Sequence, residues 1–167
     1  GMGSTFTLQL PFQEASKPNE TTEEQEEKIN NPYLATTYQP FLLNGEKANV
    51  LIVEDNVEMN NFLQQILSPY FFCQSAMDGQ QGLELLNKRK VDLIISDVMM
   101  PNMDGFTFRE KVSEIDAFKD LPFIMLTARA DDQDKIRGLQ LGVNDYMPKP
   151  FNTQELIARI HNLLKNK

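Results

Sequence analysis

The residues of this chain that could do chemistry together are Glu54, Asp55, Asp97, Thr127 and Lys149. Each ends or follows a short apolar run. Val50-Leu51-Ile52-Val53 leads into Glu54-Asp55, and Asp92-Leu93-Ile94-Ile95-Ser96 leads into Asp97. Pro122-Phe123-Ile124-Met125-Leu126 leads into Thr127, and a short run ending at Met147 is followed by Lys149-Pro150. Three carboxylates brought to one place repel one another unless a cation or protons intervene. Oxygen ligands without His or Cys suit Mg2+, which keeps several waters and takes only one or two carboxylates. Lysine and threonine complement a dianion, one by point charge and the other as a hydroxyl donor. Such a rim would hold Mg2+ and a phosphoryl group side by side. Each residue also has a plainer reading. An acid after a strand is most often a turn residue or helix cap. Asp55 could cap with Asn56, Thr127 could cap the next helix, and Lys149 could be a solvent lysine. Taken singly, those readings win; taken together, a shared rim for all five argues for chemistry.

The elements that must carry these residues alternate in type. The β-branched-rich run at 50–53 reads as a strand buried on both faces. Residues 56–67 place Met59, Phe62, Leu63, Ile66 and Leu67 at helical spacing. Strands follow at 70–76, 92–96, 122–126 and 143–147. Helices follow at 78–88, from the loop of Pro101 and Gly105 to about 115, at 131–141 and at 152–164. Leu83, Leu85 and Leu86 would face inward, and Asn152 with Glu155 reads as a helix start. Five strands alternating with five helices predict an α/β fold: a doubly wound, five-stranded parallel sheet with helices on both faces. In such sheets the ligand site lies beyond the carboxyl ends of the strands.

Composition narrows the function classes. The chain has 167 residues, a net charge of −8 and one cysteine. An acidic chain lacks the clustered Lys and Arg that phosphate backbones demand, so direct nucleic-acid binding is not expected. Cys73 forbids an internal disulfide, fits a reducing compartment and reads as buried and inert. One histidine and one cysteine exclude a His/Cys-rich zinc site. No apolar run approaches the roughly 20 residues of a membrane span, and no signal peptide is visible. Residues 1–46 hold seven acids and two bases, a net −5, against seventeen acids and fourteen bases, a net −3, in 47–167. Residues 13–46 read as an acidic linker, with Tyr33, Leu34, Tyr38, Phe41, Leu42 and Leu43 apolar enough to dock on a neighbouring surface. Met100, Met103, Met125 and Met147 read as gap-filling residues, and His161 as a partly exposed helix residue.

Residues 47–167 resemble a receiver domain of bacterial two-component response regulators. The resemblance rests on Val50-Leu-Ile-Val-Glu-Asp-Asn56, on Asp92-Leu-Ile-Ile-Ser-Asp-Val-Met-Met-Pro-Asn-Met-Asp-Gly105, on Pro122-Phe-Ile-Met-Leu-Thr-Ala128 and on Gly142-Val-Asn-Asp-Tyr-Met-Pro-Lys-Pro-Phe151. It implies a flavodoxin-like strand order of 2-1-3-4-5. It implies that Asp97 accepts a phosphoryl group from a phosphohistidine of a sensor kinase. Asp55, Asp97 and the backbone carbonyl of Met99 would ligate Mg2+, with Glu54 acting through metal-bound water. Lys149 and Thr127 would hold the phosphoryl oxygens, and Tyr146 would be the switch aromatic. The face formed by helix 131–141, strand 143–147 and helix 152–164 would shift and could carry a homodimer. Met99 and Arg129 would tune slow self-dephosphorylation, an apolar Met99 by excluding water. Lys149-Pro150 would be a cis peptide. The resemblance places such a chain in the cytoplasm, or on the cytoplasmic side of a membrane-anchored kinase. A downstream effector or DNA-binding domain would lie outside this sequence.

Residues 1–12 read differently. Phe6, Leu8 and Leu10 alternate with Thr5, Thr7 and Gln9, which is strand periodicity. The segment resembles the last glycine box and final strand of a sensor-kinase ATP-binding domain. It implies a chain excised from a hybrid sensor histidine kinase, with no kinase activity of its own, and a strand that adds to a sheet edge or stays disordered. Three other readings of the rim remain. A phosphatase of the haloacid dehalogenase type wants an acid two residues after its nucleophile, where Met99 stands. A nucleotide- or flavin-binding flavodoxin-like module wants a Gly/Ser/Thr-rich loop where Glu54-Asp55-Asn56 stands. A degenerate receiver used only for protein contacts would not need the intact acid, threonine and lysine set.

Overall fold

The computed structural model describes residues 38–128 and 131–167. The expectations for 1–12, for 13–37 of the linker and for Arg129 lie outside the described residues. The described chain runs β1 (Leu42–Leu43), β2 (Glu46–Lys47), β3 (Asn49–Val53), α1 (Val57–Leu67), β4 (Phe72–Ala76), α2 (Gly79–Lys88), β5 (Leu93–Asp97), α3 (Gly105–Ser113), β6 (Phe123–Thr127), α4 (Asp132–Gln140), β7 (Asp145–Pro148) and α5 (Thr153–Lys165). β3 to β7 are the five strands expected from the sequence. They form one parallel sheet in the order β4-β3-β5-β6-β7, the doubly wound arrangement anticipated above.

Alternation along the central strands sends side chains to two cores. Val50 and Ile52 pack with Leu63 and Leu67 of α1 and with Leu156, Ile157, Ile160 and Leu164 of α5. Leu51 and Val53 pack on the opposite face with Leu86 of α2 and with Phe106, Phe108 and Val112 of α3. The helices start where their caps stand. Asn56, Asp78, Asp104, Asp131 and Asn152 each accept a hydrogen bond from a backbone N–H of the first turn. Met125 and Met147 are fully buried, Met100 is buried and Met103 is half-buried, so these methionines fill space as expected.

Three details depart from the sequence reading. Phe62, placed on the apolar stripe of α1, is 43% exposed, because Leu63 and Leu67 already fill the contact with the sheet. The last strand begins at Asp145 rather than Val143. Gly142, at φ +74, turns the chain, and Asn144 still caps the neighbouring strand by accepting from Phe123 N–H at 2.8 Å. The end of the segment read as linker is packed. Asn44 and Gly45, both at positive φ, close the β1–β2 hairpin as a two-residue turn of the type that Asn-Gly favours. Tyr38, Phe41 and Leu43 pack against the α1/α5 core, as the docking pieces of that segment were expected to do.

Candidate functional site

The carboxyl ends of β3, β5, β6 and β7 meet on one rim. Glu54 and Asp55 follow β3, Asp97 is the last residue of β5, Thr127 the last of β6, and Lys149 follows β7. Glu54, Asp55 and Asp97 each offer a carboxylate oxygen within 4.8 Å of the others. Lys149 Nζ lies 2.7 Å from Glu54 Oε2 and 3.2 Å from Asp97 Oδ1. The lysine is therefore no solvent lysine. Glu54, Asp97 and Thr127 are buried. Asp55 is half-buried and opens with Glu58, Met59 and Phe62 onto a shallow pocket.

Local structure fixes each group. Asn56, not Asp55, caps α1, and its own N–H donates to Glu54 Oε1 at 3.0 Å. Val98 N–H donates to Asp97 Oδ1 at 2.9 Å. Asp131, not Thr127, caps α4. Lys149 N–H donates to the Thr127 carbonyl at 2.6 Å, which ties the ends of β6 and β7, and the Lys149-Pro150 bond is cis. The loop after Asp97 turns back so closely that a Cβ on Gly105 would lie 2.3 Å from the Asp97 carbonyl oxygen. Only glycine fits there. Met99 projects from this loop and is 64% exposed.

Burial sets the electrostatics. It raises the pKa of Glu54, against the lowering effect of the Lys149 hydrogen bond. It raises that of Asp97 against the attraction of the same lysine. Burial alone would lower the pKa of Lys149, but the Glu54 hydrogen bond and the Asp97 charge outweigh it, so the ammonium stays charged. The rim thus holds an excess of negative charge in a poorly solvated place, which is where a divalent cation gains most.

Tyr146 lies on β7 with its ring against Gly138 of α4. Burial raises its pKa, and the Thr127 side chain acts the other way. Cys73 is half-buried in β4, and burial pushes its thiol up to about 11, in keeping with an inert residue. His161 is half-buried in α5, but its ring sits among Tyr38, Phe41 and Phe71 with centroids 5.1, 5.2 and 5.4 Å away. That cage was not anticipated.

Two buried polar residues also escaped the sequence reading. Asn60 of α1 reaches the ends of β3 and β4. Arg109 of α3 donates to the carbonyls of Leu141, Lys119 and Gly142, and lies over the Phe123 ring. The available signal for Asn60 was its place at i−3 and i−7 from Leu63 and Leu67, a polar residue on the inward stripe. Arg109 carried the same signal, three residues after Phe106 and three before Val112 on the inward stripe of α3.

Comparison with known proteins agrees with this geometry. The family model of the response regulator receiver domain matches residues 50–161. The chain is 45% identical over 121 residues to hybrid signal transduction histidine kinase D of Dictyostelium discoideum, covering 72% of this chain and 8% of that protein. It is 42% identical over 117 residues to the transcriptional regulatory protein CpxR of Klebsiella pneumoniae, covering 70% of this chain and 49% of that protein. The chain therefore spans at most about half the length of these relatives. The crystal structure of the Vibrio cholerae chemotaxis protein CheY4 superposes with a TM-score of 0.67 at 32% identity, covering 70% of this chain and 98% of that one. Among the described residues no helix is long and apolar enough to cross a membrane. A parallel five-stranded sheet, an acidic rim closed by a lysine, and a family match over most of the packed region have one reading: the chain belongs to the receiver-domain family of two-component response regulators.

Proposed function

We propose that the chain is a phosphoryl-accepting switch in which Asp97 takes a phosphoryl group from a phosphohistidine of a sensor kinase. The observation that carries this reading is the Lys149 ammonium set between Glu54 and Asp97, on a rim where three carboxylates converge. Val98 N–H and Lys149 both engage Oδ1 of Asp97, which leaves Oδ2 as the nucleophile. Oδ2 bonds to phosphorus while the bond from phosphorus to the donor imidazole nitrogen breaks, and the electron pair stays on that nitrogen. The product is an acyl phosphate. Lys149 offsets charge on the phosphoryl oxygens, and the fixed carboxylate removes most of the orientational cost. Water attack on phosphorus later returns Asp97 and inorganic phosphate, so self-dephosphorylation resets the switch. By the family resemblance, Met99, two residues after Asp97, and Arg129, two after Thr127, would tune this rate, an apolar Met99 by slowing it.

The donor set fits Mg2+: Asp55 and Asp97 would hold it with the Met99 carbonyl, and Glu54 would act through a metal-bound water. When bound, the ion neutralises charge on the transferring group. Thr127 and Tyr146 link the rim to α4 and β7. A phosphoryl group drawing on the Thr127 hydroxyl biases the position of the Tyr146 ring, and with it the α4-β7-α5 face. That face is where an effector or a second copy would read the state. The donor would be a histidine kinase, in the same full-length chain if the protein is a hybrid kinase. The test is intact mass after incubation with acetyl phosphate. We expect a Mg2+-dependent gain of one phosphoryl group, absent in Asp97→Asn. No gain in the wild-type chain, together with no binding of beryllofluoride, would overturn the reading in favour of a module used only for contacts.

A further inference from the structure

The acidic turn begins where backbone pairing between β3 and β4 runs out. Their register ends at Val53 opposite Ala76, with one further bond from Glu54 N–H to the Ala76 carbonyl at 3.1 Å. The Glu54 carbonyl would be the next acceptor, but β4 has ended and offers no N–H. A side chain supplies it. Asn60, one turn into α1, donates through Nδ2 to the Glu54 carbonyl at 3.0 Å and to the Ala76 carbonyl at 3.2 Å. Its Oδ1 accepts from Gln64 Nε2 at 2.8 Å, which fixes which way the carboxamide faces. Asn60 is 2% exposed, and both ends of its carboxamide are partnered.

We infer that Asn60 is a positioning residue for the metal-holding acids. It touches neither the phosphoryl site nor a metal ligand's carboxylate. Instead it anchors the Glu54–Asp55 peptide from the α1 side. The Asn56 N–H bond to Glu54 Oε1 holds the same turn through its side chain. Together these bonds set where the two carboxylates stand relative to Asp97. This inference rests on the proposed Mg2+ site. Outer groups that orient metal ligands typically change affinity by about 10–100-fold when lost.

Two variants test it. Asn60→Leu removes the rung while keeping similar bulk. Gln64→Met leaves Asn60 in place and frees its Oδ1, at a half-buried position. Mg2+ alone is titrated into each, followed by the amide NMR signals of Asp55 and Asp97, with thermal melts in EDTA alongside. The acetyl phosphate reaction is then timed across Mg2+ concentrations. We expect the Mg2+ midpoint of Asn60→Leu to rise about 10-fold and that of Gln64→Met to rise less. At saturating Mg2+ both rates should return close to wild type. A residue needed only for folding would instead lower the rate at every Mg2+ concentration, and that result would overturn the inference. Unchanged midpoints in both variants would overturn it too. If Asn60→Leu loses its cooperative melt, Gln64→Met decides, a raised midpoint supporting positioning and an unchanged one refuting it. Absence of Mg2+ binding by the wild-type chain would instead remove the metal site itself, and Asn60's role with it.

Discussion

Replacing Asp97 by Asn should make the metal-free protein more stable while abolishing its modification. The side chains are nearly equal in volume, and Asn keeps an oxygen to accept from Val98 N–H. What changes is charge. Asp97 faces Glu54 and Asp55 with oxygens within 4.8 Å. At an effective dielectric of 20, Coulomb's law puts each repulsion at about 3.5 kcal/mol at that distance, hence about 7 for the two. Lys149 at 3.2 Å returns about 5 kcal/mol on the same scale. Attraction and repulsion are of similar size, so the net cost comes chiefly from desolvating a carboxylate at this position. Solvent screening at half-buried Asp55 reduces it, so we expect a gain of about 1–2 kcal/mol, a few degrees in Tm.

The assay is urea and thermal unfolding of both chains in EDTA, then in Mg2+. Mg2+ should raise the wild-type Tm more than that of Asp97→Asn, because the variant has lost a ligand oxygen charge. The pH dependence has a definite sign. Burial raises the folded-state pKa of Asp97 above its unfolded value. The penalty of the charged form is therefore complete only above that folded value. It fades as pH falls through the raised folded value and is gone below the unfolded value, about 3.9. The advantage of Asp97→Asn must shrink on acidification. A variant less stable than wild type at pH 7 in EDTA, or an advantage that grows in acid, would refute the charge argument.

Two further outcomes follow from single contacts. Gly105→Ala sets a Cβ 2.3 Å from the Asp97 carbonyl oxygen and 3.0 Å from Val98 Cα, both backbone atoms that cannot swing away. Urea unfolding should show a loss of about 2 kcal/mol or more, with slower acetyl phosphate labelling because Asp97 itself is displaced. His161, ringed by Tyr38, Phe41 and Phe71, has its pKa lowered by burial and by Lys165, so the folded state resists its protonation. Stability should fall as pH drops below the unfolded value of about 6.5. The NMR titration of the ring should give a midpoint below that value, and His161→Phe should lose this component of the pH dependence.

The site was legible because its residues are punctuation. A parallel strand buried on both faces is an unbroken apolar run, so an acid or a lysine at its end stands out, and the fold rule says all such ends share a rim. Glu54, Asp97, Thr127 and Lys149 needed nothing more. What the sequence reading passed over is which polar residues within helices turn inward. Asn60 and Arg109 stand on the inward stripes of α1 and α3, and the carbonyls they reach, at or within two residues of a strand or helix end, explain their burial. The same limit applied to apolar residues in reverse. Phe62 sits on a stripe wider than the sheet can cover, so it faces the acidic pocket instead of the core. The Asn44-Gly45 turn is a different case. It is a strong local signal, but it lies at the end of an acidic stretch whose composition argued for a spacer. Local turn chemistry prevailed because Tyr38, Phe41 and Leu43 had a core edge to cover. Chain ends and linkers are therefore better read from what their few apolar residues could reach than from their average charge.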